Sequence, residues 1–192
     1  MRRPLQNRVT PFGEIVALVA RGTMMGNRGG CLHDAEGRLS RRRWICCVLD
    51  FKGRHRQVIT PGRYMELFFL DEATALAAGH RPCAECSHAD YRAFQDAWLR
   101  AALPEPARAD DMDRLLHAER LAEHEIGGLP DGAMVARGED AFLVRRGRLH
   151  RWSHSGYKVA RDVGRPDRLL TPPAIVRVFA AGYLPGIHES CN

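Results

Sequence analysis

Glu66-Leu67-Phe68-Phe69-Leu70-Asp71-Glu72-Ala73-Thr74-Ala75-Leu76-Ala77-Ala78-Gly79-His80-Arg81-Pro82-Cys83-Ala84-Glu85-Cys86 holds the plan of the fold. Glu66 to Leu70 is an aromatic, apolar run of strand length. Asp71 is placed to cap a helix over Glu72 to Ala78, because a short side-chain oxygen there accepts from an unpaired first-turn amide. Gly79 stands at the C′ position, where the chain must turn left-handed. Pro82 stiffens the turn that presents Cys83 and Cys86. Ser87 then opens a longer helix, with Asp90 placed to return the capping contact. Two thiolates at Cys-x-x-Cys spacing can grip one metal ion from a single knuckle.

Upstream, Glu14 to Ala20 reads as a short buried strand. Gly22 to Gly30 reads as a glycine-rich functional loop whose amides can cradle an anion, although it has neither the Lys-Ser/Thr ending of a P-loop nor Gly-x-Gly-x-x-Gly spacing. Trp44 to Phe51 and Arg56 to Ile59 flank the turn Lys52-Gly53-Arg54-His55 as a hairpin. Downstream, Tyr91, Phe94 and Trp98 share one helical face. A third helix is expected over about Asp110 to Glu125. It buries Met112, Leu115 and Leu116, and its first turn carries Asp110, Asp111 and Asp113. Gly127 to Gly132 reads as a linker, followed by strands at Met134 to Arg137, Ala141 to Arg146 and Leu149 to Ser153. Thr171 is placed to cap a last helix opened by Pro172-Pro173 and closed by Gly182. The expected class is α+β with small antiparallel sheets. The expected organisation is residues 1–126 with the knuckle and 127–192 as a small hairpin lobe packed on them.

A hydrophobic fraction of 45% in 192 residues fits a globular chain and argues against a disordered one. No apolar run reaches the roughly 18 to 20 residues of a membrane span, and the basic start is not followed by an apolar signal region. The cytoplasm is therefore the expected location, where the six cysteines are free, buried or metal-bound rather than disulfide-linked. The formal charge of +6 favours anionic partners. All the cations except Lys52 and Lys158 are arginine, whose rigid fork suits phosphate.

A closed metal site needs ligands beyond Cys83 and Cys86. Those on offer are Cys46 or Cys47, Cys31 and His33, and His80 or His88. Cys46 and Cys47 point to opposite faces of a strand, so only one of them can join. A second constellation is His117, Glu119, Glu123 and His124, with the two histidines on one helical face. His117 and Glu119, or His33, can supply acid–base groups. A third is the basic, aromatic-interleaved hairpin of Arg145, Arg146, Arg148, Arg151 and Trp152. Arginine there can neutralise phosphate while the indole stacks on bases. Arg41-Arg42-Arg43 forms a smaller basic patch.

The run from about residue 66 to 86 resembles the second half of the Ada-type metal-binding domain, the methylphosphotriester-repair module of bacterial alkylation-response proteins. There an aromatic strand and an alanine-rich helix lead into Gly-aromatic-Arg-Pro-Cys-x-x-Cys. The resemblance implies that Cys83 and Cys86 are the downstream ligands of a four-cysteine zinc site, and it implies a strand–helix–knuckle–helix unit. Three functional readings follow from the sequence. The first is a zinc-stabilised protein that binds nucleic acid in DNA repair or processing. The second is a metal-dependent enzyme on a small anionic substrate, which requires residues 22–33 to meet the third helix at a pocket. The third is a metal-free interaction domain.

Overall fold

The chain is α+β, and the computed structural model describes residues 4–28, 42–53, 65–104 and 106–191. Its first sheet comprises β1 (Gln6–Val9), β2 (Ile15–Leu18), β3 (Met24–Asn27), β4 (Ile45–Val48), β5 (Leu67–Phe69) and β6 (Arg81–Pro82). Their spatial order is β2-β1-β5-β3-β4-β6. This sheet is mixed rather than antiparallel, since β1 runs parallel to β5 and β4 parallel to β6. β2 is an edge strand with Val16 and Ala17 exposed, not the buried strand its apolar run suggests.

The glycine-rich segment is the larger departure. Its part Met24–Asn27 is an interior strand between β5 and β4. Gly26 serves close approach there, because a Cβ would stand 2.8 Å from the Phe69 ring and collide with the Ile45 carbonyl. Glycine in a strand has this meaning as often as it marks a loop. The predicted hairpin strand at 56–59, with Arg54 and His55, lies outside the described residues, as do Cys31, His33, Gly29, Gly30 and Arg41.

Between β5 and β6 lies α1 (Glu72–Ala77). The Asp71 carboxylate accepts from the Thr74 amide at 2.9 Å and from the Thr74 hydroxyl at 2.7 Å. At the other end Gly79 has φ +79°. The Gly79 amide donates to Leu76 and the His80 amide to Ala75, at 2.9 and 3.0 Å, which is the Schellman pattern. This closure turns the chain directly from α1 into β6.

α2 (His88–Arg100) and α3 (Ala109–Arg120) follow, then β7 (Met134–Arg137), β8 (Asp140–Arg145), β9 (Arg148–Ser153), β10 (Gly156–Val159), β11 (Arg168–Leu169) and α4 (Pro173–Ala180). The second sheet is antiparallel, in the order β10-β9-β8-β7-β11. Tyr91, Phe94 and Trp98 of α2 are buried with Met112 and Leu116 of α3 and Ile175, Val178 and Phe179 of α4. Leu70, Ala73 and Ala77 pack with Met134, Leu143 and Tyr157 of the second sheet. One sheet thus falls in 1–126 and the other in 127–192, and side chains of α1, α2 and α3 share clusters with residues of 127–192.

Three local readings are corrected. α3 ends at Arg120 with Leu121 as its C-cap, so His124 lies beyond the helix and shares no face with His117. Thr171 does not cap α4; its hydroxyl accepts the Met134 amide at 2.8 Å. The α4 cap comes instead from Glu119, whose two carboxylate oxygens accept the Ala174 amide at 3.2 and 3.0 Å. Ser87 precedes α2 without a side-chain capping bond, and its hydroxyl lies 3.9 Å from the Cys86 sulfur.

β6 is tied to α3 by a buried bidentate pair. Arg81 Nε and Nη2 donate to the two Asp113 oxygens, both at 2.8 Å, with each side chain about 5% exposed or less. Burial raises the Asp113 pKa while the Arg81 guanidinium opposes the rise. Breaking such a pair strands a charge, whereas replacing both partners by apolar groups is often neutral. Arg81→Ala is therefore expected to cost about 3–5 kcal/mol, and Arg81→Met with Asp113→Leu far less than that. Urea melts of the three proteins check this.

Candidate metal centre

The sulfur atoms of Cys47, Cys83 and Cys86 lie within 4.8 Å of one another. Sheet register brings them together. β4 pairs in parallel with β6 through Ile45 with Arg81 and Cys46 with Pro82. The next step along both strands sets Cys47 beside Cys83, and the Cys83 amide donates to the Cys46 carbonyl at 3.0 Å. The chain then turns at once, with the Ser87 amide donating to the Cys83 carbonyl at 3.2 Å, and this turn returns Cys86 to the cluster. Strand alternation decides between the adjacent thiols. Cys47 joins the knuckle half-exposed, while Cys46 is fully buried among Val9, Leu67 and Phe69.

The electrostatics suit a cation. A hydrogen bond from the Cys47 thiol lowers the Cys83 pKa to about 5, against the opposing effect of burial. The Glu85 amide also donates to the Cys83 sulfur, at 3.4 Å. The same sulfur–sulfur hydrogen bond, followed by burial, raises Cys47. Hydrogen bonding within the cluster thus favours the thiolate form of Cys83, and a divalent ion would displace the protons that the thiols hold. Cys46 is pushed well up by burial, as befits a thiol that packs rather than ligates.

His80 is not directed at the knuckle. Its ring is fully buried against Trp44 and Phe69, with centroids 5.0 and 4.7 Å away. Arg28 Nε approaches His80 Nε2 at 3.4 Å and the Ala75 carbonyl lies 3.2 Å from Nδ1. Burial, then the charges of Arg28 and Arg120, hold its pKa well down, so it is a neutral imidazole with Nδ1 as donor. His88 is exposed at the start of α2. Among the described residues only the three thiols form a metal-competent group.

The other predicted residues are dispersed. His117 Nδ1 lies 3.4 Å from Arg120 Nη2, and burial lowers its pKa. Glu119 caps α4, and burial raises its pKa. Arg145 lies 3.8 Å from Asp131, whose carboxylate also accepts the Arg146 amide at the left-handed turn. Arg148 is exposed. Arg151 grips Asp140 through Nε and Nη2 at 3.1 and 2.6 Å. Trp152 points the other way, its indole donating to the Thr74 hydroxyl at 3.1 Å. Arg43 pairs with Asp110 at 3.0 Å.

One feature went unread in the sequence, a groove of about 610 Å³ across the second sheet, lined by Arg137, Arg151, Lys158 and Arg161 with Phe142, Asp140 and Asp162. Phe142, Arg151 and Lys158 stand in register across β8, β9 and β10. Alternation along the β10 pattern would have placed Lys158 outward, but β10 itself was missed. A cavity of about 730 Å³ joins Arg28 and Trp44 to the end of α3. It is the meeting of residues 22–33 with the third helix that the reading of an enzyme on a small anionic substrate requires, although His117 is not in its lining.

No helix among the described residues is long and apolar enough to cross a membrane. No protein-family model, curated protein or solved structure matches the chain.

The thiol cluster predicts a divided outcome for the two neighbouring cysteines. The native protein is expected to bind about one metal ion per chain, and Cys47→Ser and Cys83→Ser are expected to lose it. Cys46→Ala is expected to keep it while losing core stability. Elemental analysis with parallel thermal melts separates these effects, and equal metal loss in Cys46→Ala would contradict the register.

Proposed function

We propose that the protein is a zinc-stabilised nucleic-acid-binding protein of the cytoplasm, serving DNA repair or processing. Zinc is the metal that a cluster of thiolates favours among the abundant divalent ions, with Cys47, Cys83 and Cys86 holding it. The order β5, α1, β6, Cys83, Cys86, α2 supports an Ada-type kinship for this unit.

The observation that carries the nucleic-acid reading is the groove across the second sheet. Arg137, Arg151, Lys158 and Arg161 line it against two carboxylates, Asp140 and Asp162. A phosphodiester chain laid there meets cations supplied by β7, β9, β10 and the segment after β10, and Arg151 is already oriented by Asp140. Arginine and lysine so placed bind by releasing counterions, which makes affinity salt-dependent and largely sequence-independent. Trp152, directed inward, supports the sheet from behind rather than stacking on a base.

Binding of labelled single- and double-stranded oligonucleotides is expected to weaken linearly in log K against log salt. Lys158→Ala and Arg161→Ala are each expected to reduce that slope by about 1. Filter retention across a salt series measures it. No retention of DNA or RNA at low salt would reject the reading.

A further inference from the structure

We propose that the cavity between the first sheet and the end of α3 binds a phosphoryl group, with the guanidiniums of Arg28 and Arg120 as its receptors. The site is separate from the groove of the second sheet and does not depend on it.

Trp44 is the centre of the arrangement. The guanidinium carbon of Arg28 lies 3.8 Å from its ring centre and that of Arg120 lies 4.1 Å away. Two planar guanidiniums that close to one centre overlap if they share a face, so the indole lies between them. Both are held from behind. Arg28 donates to the Gly13 carbonyl at 2.8 Å and towards the His80 ring. Arg120 donates to the Gly79 carbonyl at 2.6 Å and the Arg42 carbonyl at 3.0 Å. Gly79 has no room for a side chain because the Arg120 methylenes lie against it, 2.6 Å from where a Cβ would be.

Among the described residues these cations have no acid paired with them. Asp113, whose field favours the charged form of Arg120, gives both oxygens to Arg81. Glu119 lines the cavity but spends its oxygens on α4. Glu14 and Glu123 lie exposed at the rim. Arg120 Nε is buried with no acceptor. Burial lowers Arg28 to about 9, helped by Arg120, and lowers Arg120 to about 10, so both remain charged at neutral pH. Arg28 is buried and Arg120 partly buried, and a cation withdrawn from water without an acid beside it is costly. Both line one cavity, where they form a receptor for a compact anion with several acceptor oxygens.

A phosphoryl group meets that demand better than a carboxylate, since it brings up to two charges and three terminal oxygens to forked donors. The cavity volume of about 730 Å³ lies in the range of small-molecule sites. It leaves room for the group that carries the phosphate. The lining also includes Arg168, whose guanidinium carbon is 5.0 Å from the Phe12 ring centre. The phosphoryl group can arrive on a small phosphomonoester or at the end of a nucleic-acid strand.

Inorganic phosphate added to the full chain at fixed ionic strength is expected to raise the melting temperature and shift the Nε–H resonances of Arg28 and Arg120, while chloride does neither. Arg120→Gln is expected to weaken phosphate about tenfold or more, and Arg92→Gln on exposed α2 to leave it unchanged. A nucleoside monophosphate that outcompetes phosphate identifies the small ester as the source. An oligonucleotide that gains affinity from a 5′-phosphate, and loses the gain in Arg120→Gln, identifies a strand end. If Arg120→Gln does not fold, the native resonances decide. Unmoved Arg28 and Arg120 resonances, or an undiminished response in Arg120→Gln, would overturn the proposal.

Discussion

The parallel pairing of β4 with β6 is the constraint on which the thiol cluster and the Arg28–Arg120 cavity depend. It is short, with Ile45 opposite Arg81 and Cys46 opposite Pro82, and backbone bonds from Arg81 to Trp44 and from Cys83 to Cys46 flank it, both at 3.0 Å. Its register places Cys47 beside Cys83, aims Arg81 at Asp113, and sets Trp44 against His80. A slip by one residue would send Cys46 to the knuckle and Cys47 into the core, because side chains alternate between faces. Parallel pairs need a crossover, and α1 with its Gly79 closure supplies the return to β6. The alanines of α1 are buried on all sides, so this crossover packs closely between the sheets.

Much of this segment was legible because its signals are local. Asp71, Gly79 and the aromatic stripe of α2 each act through neighbours within about one or two helical turns. The same holds for β7, whose bounds the sequence reading matched. Features that depend on tertiary partners were not legible. Nothing near Gly26 shows that the Phe69 ring will cross it. Nothing near Thr171 shows that a strand amide will take its hydroxyl, leaving α4 to be capped by Glu119 from α3. The choice of Cys47 over Cys46 was reducible to one of two by alternation, but only the β4–β6 register settles which.

Arginine content alone says little, because several of the described arginines have structural duties. Arg81 and Asp113 join β6 to α3, Arg43 reaches Asp110, and Arg108 and Arg114 both hold Asp111. Asp110, Asp111 and Asp113, read from sequence as helix-dipole partners, are therefore mainly anchors for arginines. Exposed pairs of this kind contribute little each, whereas the buried Arg81–Asp113 pair fixes the approach of a helix. What distinguishes an arginine free for a ligand is its position, not its count. Among the described residues Arg28 and Arg120 are held by carbonyls and by no carboxylate.

The two faces of β4 carry different chemistry for one reason. Trp44 and Cys46 point to the buried face, and Cys47 to the face of the knuckle. The segment from Gly79 to Cys86 does the same, giving its Gly79 carbonyl to Arg120 and its thiols to the cluster. His80 is the connection between them. As a neutral ring it accepts towards Arg28 and packs tilted against Trp44 while its own amide closes α1. An apolar aromatic at this position, as the Ada-type pattern has, would fill the same space but offer Arg28 no acceptor. The imidazole thus fits a chain in which a guanidinium must be held in a nearly dry place.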